Sequence, residues 1–130
     1  VAKDVPGFIG NRLQHALWRE AISLVENGVC DAEAVDTVIK SSFGRRLAVL
    51  GPLENADLVG TDLTLDIHEN VLHDIEARRG PSPYLETLVQ DGRLGMKSGK
   101  GFRNWTPEEA DAVRQRVARH LSKLDGILEA

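Results

Sequence analysis

From Pro6 to Asn27-Gly28, the apolar residues Ile9, Leu13, Ala16, Leu17, Ala21, Leu24 and Val25 recur at three- and four-residue steps. That spacing belongs to one buried face of a helix. Pro6 suits the first turn, where its missing N–H is no loss, and Asn27-Gly28 is a good C-terminal stop. A helix of about 20 residues is about 30 Å long, the width of a small domain. The other elements must therefore arrange themselves along it. No later segment shows sustained two-residue alternation, so the expected fold is all-α with five or six helices. The chain has 130 residues, which is read as one domain, 1–130, with enough residues for a sizeable core.

The remaining helices are legible from their punctuation. Asp31 is an N-cap for a second helix with apolar positions Ala32, Val35, Val38 and Ile39. Ser41 to Gly44 ends it. Arg45-Arg46 and the apolar run Leu47 to Leu50 lead to Gly51-Pro52, where a third helix starts. Gly60 interrupts it, and Thr61 or Asp62 is expected to cap a continuation carrying Leu63, Leu65, Ile67, Val71, Leu72 and Ile75 to about Arg78. After the break at Gly80-Pro81, Ser82-Pro83 restarts a short helix ending at Asp91-Gly92. Gly95, Gly99 and Gly101 make regular helix unfavourable from Arg93 to Trp105, so a structured loop is expected, with Phe102 and Trp105 plugging the core. Thr106-Pro107-Glu108-Glu109 then combines an N-cap, a first-position proline and a third-position Glu. The final helix places Ala110, Val113, Val117 and Leu121 on one face.

Several kinds of chemistry are excluded. The net charge is −4 and the basic residues are scattered, unlike a nucleic-acid footprint. No apolar run approaches the roughly 20 residues that span a bilayer. The single cysteine, Cys30, rules out an intrachain disulfide and points to a reducing, cytoplasmic compartment. It has no His tied to it by spacing, as a nucleophile would need. His68 and His73 are five apart rather than four, which does not place two imidazoles on one helical face, so no metal site is expected. His15 and His120 read as isolated helical residues. The segment Gly95 to Phe102 lacks the spacing of a nucleoside-triphosphate loop and follows no strand. Lys97 and Lys100 on it remain suited to an anionic ligand.

Asn11 is the other candidate. Asn is a mediocre helix former, yet it sits one turn into what is expected to be the longest amphipathic helix, between Gly7, Gly10 and the rest of the apolar stripe. Two glycines there allow a close approach. An amide offers donors and an acceptor without changing charge, which suits holding a carbonyl or hydroxyl in place. From spacing alone, a surface or interhelical hydrogen bond is the more available role.

Three stretches together resemble the 3-hydroxyacyl-CoA dehydrogenase family. Asp4-Val-Pro-Gly-Phe-Ile-Gly-Asn-Arg-Leu13 is similar to its hinge motif. Gly51-Pro-Leu-Glu-Asn-Ala-Asp-Leu-Val-Gly-Thr-Asp-Leu63 and Gly95-Met-Lys-Ser-Gly-Lys-Gly-Phe102 follow in the family's order. The resemblance covers roughly residues 3 to 105, the family's C-terminal helical domain. It implies a dimerisation fold like the C-terminal domain of 6-phosphogluconate dehydrogenase. It also implies that NAD is bound mainly by an N-terminal Rossmann domain, which supplies a catalytic His–Glu pair. No strand–GxGxxG–helix segment occurs here, and the chain starts Val-Ala-Lys-Asp with Met96 as its only methionine. A piece of a longer enzyme is therefore expected, inactive alone.

Carried over by motif, Asn11 matches the active-site Asn that orients the substrate oxygen, and Lys97 matches a lysine that reaches the bound dinucleotide. The implied function is NAD-dependent oxidation of the 3-hydroxyl of an acyl-CoA, in a homodimer formed through the helical domain. Trp18, Arg45-Arg46 and Leu47 to Leu50 depart from the commonest acyl-CoA enzymes. A dehydrogenase of the same superfamily acting on a small hydroxy acid or other hydroxy compound without CoA is thus the alternative. A stand-alone, non-catalytic dimerisation module is a further one.

Overall fold

The computed structural model describes residues 6–129. Asp4 and Val5, which begin the hinge-like motif, lie outside the described residues. Among those described there are six α-helices and no strand, as the absence of alternation predicted. The chain divides into two compact units, Val1–Tyr84 and Leu85–Ala130.

In the first unit, helix α1 runs Pro6–Glu26, α2 Ala32–Ser41, α3 Pro52–Val59 and α4 Thr61–Val71. α1 packs against α2, and α3 against α4. The end of α1 is closed by Gly28 N–H donating to Val25 O (3.1 Å) and Val29 N–H to Leu24 O (2.9 Å). This paired closure satisfies carbonyls that the last turn leaves open. Asp31 caps α2 as predicted, its carboxylate accepting from Ala34 N–H at 2.8 Å. At the start of α3, Gly51 N–H donates to the Glu54 carboxylate at 2.9 Å.

Three expectations change here. The cap of α4 is neither Thr61 nor Asp62 but Gly60. Its φ of 109° lets the chain turn and re-enter a helix with no linker, a conformation that Cβ-bearing residues rarely adopt. Helix α4 also stops at Val71 rather than near Arg78. Beyond it, backbone groups bond to α1 instead of continuing the helix. Glu76 N–H donates to the Glu20 carboxylate (2.6 Å), and the Ser23 hydroxyl donates to the Glu76 carboxylate (3.0 Å). Arg78 N–H donates to the same Glu76 carboxylate (2.8 Å). The Arg78 guanidinium meets Glu26 at 3.3 Å, a partly exposed pair of small energetic weight. Glu20, Ser23 and Glu26 recur every three residues, so one polar edge of α1 carries the segment. Ser23, at 8% exposure, is the buried polar residue among those described, and Asn27 donates to both its carbonyl and its hydroxyl.

The third change concerns the apolar stripe of α1. Ile9, Leu13 and Leu17 stay 46%, 58% and 39% exposed. Cover begins only at Glu20, because no described element of this unit reaches the N-terminal half of α1. A leucine left in water forgoes on the order of 2 kcal/mol of transfer free energy. So continuous an exposed apolar surface is unusual for a helix of a single soluble unit.

The second unit holds the rest of helix α5, Pro83–Gln90, the glycine-rich loop, and α6, Pro107–Leu128. Its buried apolar residues are Leu88 and Ala110. α6 starts as its sequence predicted, with a reciprocal cap. Thr106 Oγ1 accepts from Glu109 N–H (3.1 Å), and the Glu109 carboxylate accepts from Thr106 N–H (3.0 Å). Those bonds from Thr106, with the charge of Arg103, hold the Glu109 carboxyl below its ordinary value of 4.5. A group whose folded pKa is depressed stabilises the fold above the ordinary pKa and ceases to do so as pH falls through the lowered value. In an acid titration followed by far-UV circular dichroism, a loss of helix signal is therefore expected below pH 4.5. Glu109→Gln should remove part of that step. An identical acid profile for the variant would refute the assignment.

Candidate functional site

Asn11 lies on the second turn of α1 with its side chain exposed. A Cβ built on neighbouring Gly10 would meet no atom within 4 Å, so the helix surface beside Asn11 is uncrowded at that point. The amide and the glycine face are open to a group from elsewhere.

His15 and Trp18 share this side of the helix, four and seven residues after Asn11. His15 is not isolated, as its spacing had suggested. Its ring packs edge-to-face on Trp18, centroids 4.9 Å apart and planes at 65°. Such pairs orient both rings. Trp18 nevertheless remains 48% exposed. The i, i+3 relation was the available signal for this contact.

Lys97 lies in the other unit, in a 3₁₀ turn over Met96–Ser98. Its side chain is exposed. The loop beneath it is built from backbone. Gly95 N–H donates to Lys100 O (2.9 Å), Gly101 N–H to Arg103 O (2.8 Å) and Trp105 N–H to Gly99 O (2.7 Å). The Ser98 hydroxyl accepts from Leu94 N–H (2.8 Å) and lies 2.9 Å from Lys100 O. Arg93 reaches over with Nε to Gly101 O (3.0 Å) and its guanidinium to the Asn104 amide oxygen (3.2 Å). Sequence reasoning did not single out Arg93 or Ser98, which fix the loop that presents Lys97. A rigid turn holding an exposed ammonium suits a phosphate-bearing ligand.

The expected aromatic plug is half right. Trp105 is half-buried, with the Arg103 guanidinium 4.7 Å from its ring centroid. Phe102 is 41% exposed, because alternate residues of this short bridged loop face opposite ways. Among the described residues, no cluster of three or more His, Cys, Asp or Glu is placed to hold a metal ion. No described helix is long and apolar enough to cross a membrane.

Residues 7–105 match the family model described as 3-hydroxyacyl-CoA dehydrogenase, C-terminal domain. Over 129 residues, or 99% of the chain, it is 38% identical to a 5-formyl-3-hydroxy-2-methylpyridine 4-carboxylate 5-dehydrogenase of Mesorhizobium japonicum. Over 101 residues, or 76% of the chain, it is 43% identical to a probable 3-hydroxybutyryl-CoA dehydrogenase of Deinococcus radiodurans. The chain spans 42% and 35% of those two proteins. A crystal structure of the pyridine carboxylate dehydrogenase, described as an NAD+-dependent dismutase, superposes with a TM-score of 0.90 at 38% identity. That match covers 98% of this chain and 41% of the other.

Proposed function

The chain belongs to the 3-hydroxyacyl-CoA dehydrogenase C-terminal domain family, and we propose that it is the helical half of an NAD-dependent dehydrogenase whose cofactor domain lies elsewhere in the protein. Asn11 holds the substrate oxygen, or the base that takes its proton, in the reactive geometry. This is positioning rather than proton transfer. NAD, when bound, supplies the hydride acceptor. Lys97 meets its anionic part from the helical side, and the fit rests on an exposed ammonium held on a backbone-braced turn.

The substrate reading turns on α6. The family model ends at residue 105, and the match to the Deinococcus protein spans 101 residues. The match to the pyridine carboxylate dehydrogenase takes in 129 residues, so it includes the 22 residues of α6. That observation favours a small acid without CoA over an acyl-CoA. The acyl-CoA reading stands second, supported by the family and by the 43% identity. The full-length protein, assayed with 5-formyl-3-hydroxy-2-methylpyridine 4-carboxylate plus NAD and with acetoacetyl-CoA plus NADH, separates the two. Turnover of neither would sink both.

A second copy of the protein and the cofactor domain together cover the exposed apolar surface. It includes Leu13 on α1 and Leu63, Leu65, Ile67 and Val71 on α4. The full-length protein should sediment as a dimer; a monomer across the micromolar range would contradict this.

A further inference from the structure

Two stripes on α1 cross at His15. Asn11, His15 and Trp18 stand at i, i+4 and i+7, and Arg12, His15 and Arg19 at i, i+3 and i+7. Residues at these steps share a helix face, so both stripes surround one patch. The patch is unlike the opposite side of the helix, where Ile9 and Leu13 offer only aliphatic surface. It presents an indole face, an imidazole and cationic groups next to an amide. Along the axis, His15 is ~6 Å and Trp18 ~10 Å from Asn11. His15 is thus within the reach of one substituted ring whose reacting carbon lies at Asn11, and the Trp18 side chain leans back toward the same turn.

We propose that His15 and Trp18 form a ring-binding shelf that selects a flat aromatic acid as substrate. The inference rests on the assignment of Asn11 to the reacting carbon. Trp18, 48% exposed, offers indole surface for stacking. The edge-to-face contact between the two rings, 4.9 Å between centroids, holds both before the ligand arrives, which lowers the ordering cost of binding. The His15 ring nitrogens offer a hydrogen bond to a ring nitrogen or phenolic oxygen. Arg12, one residue beyond Asn11 and exposed, supplies a fork for a ring carboxylate. An acyl chain would use neither the stacking face nor the carboxylate fork. Arg19 turns its guanidinium toward Arg78 O at 3.5 Å and belongs to the rim.

The test uses the full-length enzyme. Trp18→Leu is expected to raise KM for 5-formyl-3-hydroxy-2-methylpyridine 4-carboxylate about tenfold, the scale of one lost stacking partner. KM for NAD should not move. Trp18→Phe should stay within about twofold of wild type, since a smaller ring still stacks. An unchanged pyridine KM in Trp18→Leu would overturn the shelf. So would equal damage in Trp18→Phe, or a dimer that falls apart while KM is preserved, since these mark Trp18 as packing. Wild-type turnover of acetoacetyl-CoA but not of the pyridine acid would also overturn it, while leaving the role of Asn11 intact. Loss of both activities would remove the dehydrogenase assignment itself.

Discussion

Asn11→Ala in the full-length enzyme is expected to lower kcat by about 10²-fold, the scale of a lost positioning contact. The same change should leave stability unmoved or slightly raised. Asn11 is exposed on the second turn of α1, and alanine is the better helix former by up to ~0.7 kcal/mol. Activity and stability are therefore driven in opposite directions, which a structural role for the amide would not produce. KM should change less than kcat, because the contact is placed at the reacting oxygen rather than along the body of the substrate. Stopped-flow measurement of the hydride step, with a urea melt on the same preparation, gives both readouts. Turnover within twofold of wild type would remove Asn11 from the reaction.

How far the sequence carried these conclusions depends on the range of the forces involved. Asp31, Pro52, Thr106 and Glu109 act within four residues of themselves, and the helix starts that they predicted are in place. The end of α4 is set from further away. Glu76 bonds Ser23 and Glu20, over fifty residues back, and no local pattern at Leu72 or Ile75 reports that competition. The stripe from Ile9 to Leu17 was legible as apolar, but periodicity cannot say whether the covering partner lies in the same chain.

For the site, composition and spacing reached only an odd amide at Asn11 and an exposed cation at Lys97. The order of three motifs gave them roles, and those roles are what the variants test. The contact of His15 with Trp18 lay within reach of the helical i, i+3 rule. Metal-ligand spacing relates imidazoles to one another and carries no information on an imidazole beside an indole.

The glycine-rich loop offers the second large effect, through shape rather than charge. A Cβ on Gly101 would lie 2.8 Å from Gly95 Cα and 3.2 Å from Gly95 N. Both are backbone atoms and cannot swing aside as a side chain does. Gly95 itself has φ 93°, so it has little freedom to retreat, and its N–H is committed to Lys100 O. Gly101→Ala must then spread the loop, weakening the bonds from Gly95 N–H and from Arg93 Nε to Gly101 O. Overpacking of this kind costs about 1–3 kcal/mol, read as a lower urea midpoint. Because Lys97 rides on the same turn, NAD affinity in the full-length enzyme should fall as well. Lys97→Ala separates the two effects: it should weaken NAD binding with no change in the urea midpoint, since the side chain is exposed. An unaltered dissociation constant in Lys97→Ala would leave the loop purely structural. A wild-type melt for Gly101→Ala would show that the two glycines need not touch.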